Sequence, residues 1–256
     1  MQTLHSNVIG EGTPILILHG FLGMLDNWKS IGAKYAEEGF EVHLIDQRNH
    51  GKSFHSDTFN YEVMTADIQH YMAYHSIPKA IVLGHSMGGK VAMSFACKNP
   101  QMVSKLLVAD IAPKFYPPHH QDIIDGLIAI DIKNIASRKE AEEQLSKHLK
   151  SPAIRQFLLK NLYWAEKGTL DFRFNLKVLS QNMEEVGENI GILDTYMGPT
   201  LFLRGDRSEY ISDADLPEIK KHFPRAELVT IENAGHWLHA ENPAQFLERS
   251  ISFIKE

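Results

Sequence analysis

Gly84-His85-Ser86-Met87-Gly88 stands directly after an apolar run, Ala80–Leu83, and directly before a segment of helical periodicity. A serine hydroxyl is a weak nucleophile until a neighbouring base takes its proton. A sharp strand-to-helix turn exposes it, because the turn lifts the hydroxyl above the sheet edge and small flanking residues let neighbouring chain pass close by. Gly-x-Ser-x-Gly alone is a weak signal, arising by chance in roughly one chain in ten of this length. Its strand-turn-helix context makes Ser86 the candidate nucleophile. Acyl transfer also needs two N–H donors aimed where charge develops on the attacked carbonyl oxygen. Met87, next after the serine, offers one backbone N–H at a helix N-terminus. The run His19-Gly20-Phe21-Leu22-Gly23 follows an earlier apolar strand and places the second donor at Phe21.

The base must come from fourteen histidines. A serine on such a turn is followed in chain order by its acid and then its histidine, which excludes every histidine before Ser86. His236, in Ala234-Gly235-His236-Trp237, lies past the last strand-like run behind a glycine that lets its loop approach the serine. His239 in the same loop ranks second, and His222 closes a helix. Carboxylates at two places in the chain compete for the acid. Asp110 ends the buried run Leu106–Ala109, where a carboxylate is rarely left unpaired. Asp206 and Glu209 flank Ser208, which occupies the position three residues after Gly205 where many such enzymes carry the acid. The predicted chemistry is attack on an acyl carbonyl by Ser86, with His236 as base and one of these carboxylates orienting it.

These side chains need a scaffold that brings strand ends together. Ile15–His19, Val42–Asp46, Ala80–Gly84 and Lys105–Ala109 are apolar on both faces, as in strands of a parallel sheet covered on both sides. Helical segments alternate with them at Trp28–Glu38, Tyr61–Tyr74 and Gly88–Lys98, and the rhythm resumes with Thr200–Arg204, Ala214–His222, Glu227–Glu232 and Pro243–Ile254. The pattern predicts an α/β fold with a mostly parallel central sheet. Between the two portions the strand-like runs vanish. Ser137 with Glu140 forms a capping box, and Ser151-Pro152 opens a helix running to about Trp164. Residues 112–198 therefore read as a helical cap over a core of residues 1–111 and 199–256, since ligands in open α/β sheets bind at the carboxyl ends of the strands.

Bulk properties narrow the partners. With 256 residues and 43% hydrophobic side chains the chain can bury a large core. A net charge of −6 argues against nucleic acid or an anionic membrane as partner. No apolar stretch is long enough to span a membrane, and residues 1–12 lack the pattern of a signal peptide. The single cysteine, Cys97, fits a reducing cytoplasm and falls inside a helical pattern as a small apolar residue. The expected location is cytoplasmic and the expected partner a small-molecule ester.

Four segments together resemble a known family. Asp46-Gln47-Arg48-Asn49-His50-Gly51-Lys52-Ser53, Gly84-His85-Ser86-Met87-Gly88-Gly89-Lys90, Ala109-Asp110-Ile111-Ala112-Pro113 and Gly235-His236-Trp237-Leu238-His239-Ala240-Glu241 are similar to segments of the small bacterial carboxylesterases of the YbfF type, within the α/β-hydrolase superfamily. The resemblance covers essentially the whole chain. It implies the α/β-hydrolase fold, action on short acyl esters and thioesters, and Asp110 as the acid; the predicted mechanism itself needs no cofactor or metal. Hydrolysis of a carbon–carbon bond by the same triad, or a non-catalytic ligand-binding member, is the alternative. Leu22, Trp164, Trp237 and Leu238 are expected to wall the substrate pocket. Phe172 and Phe174 read as packing, and His119-His120 as a solvated surface of the cap rather than a metal site.

Overall fold

The computed structural model describes residues 2–118, 120–132, 134–135, 137–166, 168–189 and 195–256. Strands β1 (Ser6–Ile9), β2 (Thr13–Leu18), β3 (Phe40–Ile45), β4 (Ala80–His85) and β5 (Val103–Ala109) alternate with helices α1 (Lys29–Glu37), α2 (Tyr61–Tyr74) and α3 (Met87–Lys98). After an inserted segment come β8 (Thr200–Gly205), α9 (Leu216–His222), β9 (Ala226–Ile231), α10 (Leu238–Glu241) and α11 (Pro243–Lys255). These strands form one seven-stranded sheet in the order β1-β3-β2-β4-β5-β8-β9. Only β1 runs antiparallel to its neighbour.

Alternation along each strand feeds a core on either face. Leu16 and Leu18 of β2 enter one cluster, while Ile15 and Ile17 enter the other. Both faces are covered, which is why the strands read as continuous apolar runs. Helix starts follow their capping residues: Asn60 accepts the Val63 N–H for α2, and Asn242 accepts the Gln245 N–H for α11 with Pro243 at its first position.

The inserted segment holds α4 (Gln121–Ile128), α5 (Arg138–Leu145), α6 (Pro152–Leu159), α7 (Leu176–Gln181) and α8 (Met183–Gly187). It also holds a two-stranded sheet, β6 (Leu162–Glu166) with β7 (Thr169–Phe172), where sequence reading had only helices. Helix α6 accordingly stops at Leu159 rather than near Trp164. The hairpin turns at Gly168, whose φ of 87° suits a residue without Cβ. Leu145, Leu158, Leu162, Phe172 and Leu179 join the core cluster on one face of the main sheet. Among the described residues no helix is long and apolar enough to cross a membrane.

Candidate active site

Ser86 occupies the turn between β4 and α3 with φ 53° and ψ −119°, a strained conformation for a residue with a side chain. Its flanking glycines are dictated by crowding. A Cβ on Gly84 would lie 2.1 Å from the Gly88 carbonyl oxygen, and one on Gly88 would lie 2.4 Å from that of Leu18. Any larger residue would push β4, α3 and β2 apart.

Asp110 follows the last residue of β5 and is completely buried. Its Oδ2 accepts from His236 Nδ1 at 2.8 Å and from the Ser208 hydroxyl, while Oδ1 accepts the Gly205 N–H at 3.3 Å. Burial pushes its pKa up to about 6, and the hydrogen bonds from Ser208 and Gly205 act in the opposite direction. An ionised Asp110 can only accept, so the proton of the imidazole sits on Nδ1 and Nε2 is the unprotonated ring nitrogen. The Tyr210 ring stacks on His236 with centroids 4.0 Å apart, and the His85 ring lies 4.7 Å away. His85, held down to about 3 by burial, is neutral, and its Nε2–H donates to the His236 carbonyl at 2.8 Å. The His236 loop is held a second time by Asp206, which accepts the N–H groups of Asn233 and Ala234 at 2.9 and 3.0 Å. The glycine that lets this loop approach is Gly205, not Gly235. A Cβ on Gly205 would stand 2.3 Å from the Ala234 oxygen, whereas one on Gly235 would touch only the Glu241 carboxylate, at 3.3 Å.

Ser86, His236, Phe21, Leu22 and Trp237 share a cavity of about 350 Å³. Trp28, Phe157, Leu158 and Tyr210 supply much of its remaining wall. Met87 starts α3 beside Ser86, where the first N–H groups of a helix have no intrahelical partner. Neither the Phe21 nor the Met87 N–H is taken by a turn or loop carbonyl among the described residues. The Gly20 oxygen accepts from Gly23 N–H at 3.0 Å and from His19 Nδ1 at 2.8 Å. Because a trans peptide sets C=O and N–H in opposite directions, the Phe21 N–H points away from those two donors.

A family model described as alpha/beta hydrolase fold matches residues 13–127. The sn-1-specific diacylglycerol lipase ABHD11 of Danio rerio is 40% identical over 253 residues, covering 96% of this chain and 80% of that protein. The chain belongs to the α/β-hydrolase superfamily. Esterase YbfF of Escherichia coli is 34% identical over 258 residues, covering 100% of this chain and 96% of that protein. A solved structure titled marine microorganism esterase superposes with a TM-score of 0.95 at 42% identity, over 99% of this chain and 100% of that one.

Two of the expected wall residues of this α/β-hydrolase lie elsewhere. Trp164 sits on β6 opposite Leu170 and is 52% exposed, because the hairpin turns it outward. Leu238 packs into the core cluster with Trp28 and Phe246, so Trp237 faces the cavity and its neighbour faces away. His120 is not a solvated surface residue: it precedes α4, lines the cavity and meets the Phe21 ring edge-on at 5.3 Å. His119 lies outside the described residues. Among those described, no group of three or more His, Cys, Asp or Glu side chains could hold a metal ion. Phe172 and Phe174 are buried and stacked on each other at 4.8 Å. Sequence reading missed Ser208, Tyr210, His85, Trp28 and Phe157. For Ser208 a signal existed: it holds the position where an acid was expected and instead donates to the Asp110 carboxylate.

Proposed function

We propose that this esterase/lipase-type hydrolase cleaves short-chain acyl esters, with thioesters in the same class, through an acyl-enzyme on Ser86. His236 Nε2 takes the hydroxyl proton as Ser86 attacks, then delivers it to the departing alkoxide or thiolate. Asp110 holds the imidazole in the required tautomer and stabilises the imidazolium. The N–H groups of Phe21 and Met87 hold the oxyanion, and a water activated by His236 releases the acid. The reading rests on one observation above the rest, the 2.8 Å contact of His236 Nδ1 with the buried Asp110 carboxylate in a loop that shares a cavity with Ser86.

Residues 112–198 act in this reading as a cap, since Ile123, Ile154, Phe157 and Leu158 wall the cavity that holds Ser86. The preference for short acyl groups is supported by a second recess at Ser86. Met87, Tyr116, Met183, Val186 and Tyr210 enclose only about 20 Å³ there, room for roughly one water-sized group. His236 lines the larger cavity and not this recess. The leaving group, which His236 must protonate, therefore takes the larger side and the acyl group the smaller.

A series of 4-nitrophenyl esters from acetate to palmitate tests the proposal. The expected result is kcat/KM highest for the shortest chains, and turnover about 10⁶-fold lower in Ser86→Ala at unchanged stability. Rising kcat/KM through palmitate would make the enzyme a long-chain lipase. A Ser86→Ala variant that keeps more than a few per cent of the activity would remove the nucleophile assignment.

A further inference from the structure

Leu22, next after the proposed oxyanion donor Phe21, has φ 58°. An L residue with a Cβ adopts that left-handed conformation only when its surroundings hold it there. Two side chains, distant in sequence and from different parts of the fold, do so. His50, in the loop after β3, accepts the Leu22 N–H on Nε2 at 3.2 Å, and its Nδ1 lies 2.9 Å from the Arg48 carbonyl. That carbonyl can only accept, so Nδ1 carries the proton and Nε2 presents its lone pair to Leu22. Asn161, between α6 and β6 of the cap, donates from Nδ2 to the Leu22 carbonyl at 3.0 Å and to the Leu158 carbonyl at 3.2 Å. Both neighbours are carbonyls, so the amide can only face them with its nitrogen.

The other half of that amide is the informative part. Asn161 is 1% exposed, and its Oδ1 is enclosed without a hydrogen-bond partner among the described residues. A buried acceptor left unsatisfied is unfavourable, and an apolar side chain would fill the same place without it. The compensating gain is the grip on Leu22. The same grip joins two parts of the site, because Phe157 and Leu158, at the end of α6, wall the cavity and Asn161 stands three residues after Leu158.

We propose that Asn161 and His50 are positioning residues that clamp Leu22 from its two sides, so that the adjoining Phe21 N–H is set for the oxyanion before substrate binds. Seating of the cap thereby completes the catalytic site, instead of only enclosing it. This rests on the reading of the Phe21 N–H as an oxyanion donor.

The test compares Asn161→Ala, His50→Leu and His50→Gln with the parent enzyme. It measures kcat and KM on 4-nitrophenyl acetate, the Ki of a short-chain trifluoromethyl ketone, and thermal unfolding. The ketone forms a tetrahedral oxyanion on Ser86, so it reports the donors directly. Misplacing one donor should cost less than deleting one. Asn161→Ala and His50→Leu are therefore expected to lower kcat by about 10- to 100-fold, leave KM within about twofold, and weaken the ketone by the same factor as kcat. His50→Gln, whose Oε1 can replace Nε2 as acceptor, is expected to recover most of the loss. That rescue keeps the test decisive if Asn161→Ala folds poorly. Parent-like kcat and Ki in both Asn161→Ala and His50→Leu would overturn the proposal, as would a rise in KM with ketone affinity unchanged. Ser86→Ala run alongside separates the levels: if it is inactive while the clamp variants are normal, only this inference falls.

Discussion

Replacing Asp110 by asparagine should separate what the carboxylate does for catalysis from what it costs the fold. The carboxyl is wholly buried and its pKa is raised from 3.8 to about 6, chiefly by desolvation. The folded chain then holds a proton between pH 3.8 and about 6 that the unfolded chain releases. The stabilising contribution is fully present below pH 3.8 and is lost as pH rises through 6. At ~1.4 kcal/mol per pH unit, that gap corresponds to about 3 kcal/mol. Wild type should therefore lose stability relative to Asp110→Asn between pH 3.5 and 7, by up to about 3 kcal/mol. Activity should move the other way, with kcat at pH 7.5 falling by about 10³–10⁴-fold in the variant, as when an amide replaces a triad acid. Urea unfolding at half-unit pH intervals and initial rates on 4-nitrophenyl acetate measure the two effects. Parallel stability curves would refute the buried, raised carboxyl, and a loss of kcat below tenfold would refute its role as the acid.

Ser208→Ala removes a hydrogen bond that holds the Asp110 pKa down, so the acid limb of its pH–rate profile should move to higher pH; an unmoved limb would exclude Ser208 from the site. Asp206→Asn should cost less than about tenfold in kcat, because Asp206 binds the N–H groups of Asn233 and Ala234 and not the imidazole; initial rates on the same ester rank it against Asp110→Asn. Lys90 is fully buried, and its Nζ donates to the carbonyls of Gly187 at 2.9 Å and Glu188 at 2.5 Å. Lys90→Met should lower stability by about 1–3 kcal/mol at pH 10, where only those two bonds are at stake. Burial lowers the Lys90 pKa to about 7, and the strain of burying its charge below that pH is relieved as pH rises toward 10.5. At ~1.4 kcal/mol per pH unit, the difference between Lys90→Met and wild type should therefore vanish and then reverse on going from pH 10 to pH 7, as read by urea unfolding.

The sheet was legible because its strands are buried on both faces, so that Ile15–Leu18 or Leu106–Ala109 leaves little but a parallel strand as the reading. Strand β1 was not, since four half-exposed residues carry no such run. The β6–β7 hairpin was missed because Leu162–Glu166 mixes aromatic, small and charged residues over only five positions, too few for a period of two to stand out against a helix. Within the site, local pattern reaches residues fixed by their own turn, such as Ser86 between Gly84 and Gly88. It does not reach partners distant in sequence. Ser208 meets Asp110 across 98 residues and Asn161 meets Leu22 across 139. The choice between Asp110 and Asp206 was of the same kind: both follow parallel strands, and only the crossing of the His236 loop over Gly205 gives them different neighbours.

The cost of these arrangements bears on a catalytic as against a merely ligand-binding role. Among the described residues six other than glycine have positive φ; two are asparagines, which tolerate it, and Ser76 lies in the turn after α2. The other three are Leu22, Ser86 and Asp110. Leu22 and Ser86 are locally unfavourable, while Asp110, whose residue type tolerates positive φ as asparagine does, bears the cost of burying a carboxylate with a raised pKa. A scaffold that only enclosed a ligand would have no use for a strained serine at the cavity, a buried carboxylate on Nδ1 of a cavity histidine, and a strained loop residue held beside an N–H that no turn or loop carbonyl takes among the described residues. An acyl-transfer site has a use for all three, because fixing nucleophile, base and oxyanion donors before substrate arrives avoids that cost in the transition state. Strain at Ser86 and Leu22, together with the buried Asp110 carboxylate, favours a hydrolase over a receptor, independently of the sequence motif that first marked Ser86.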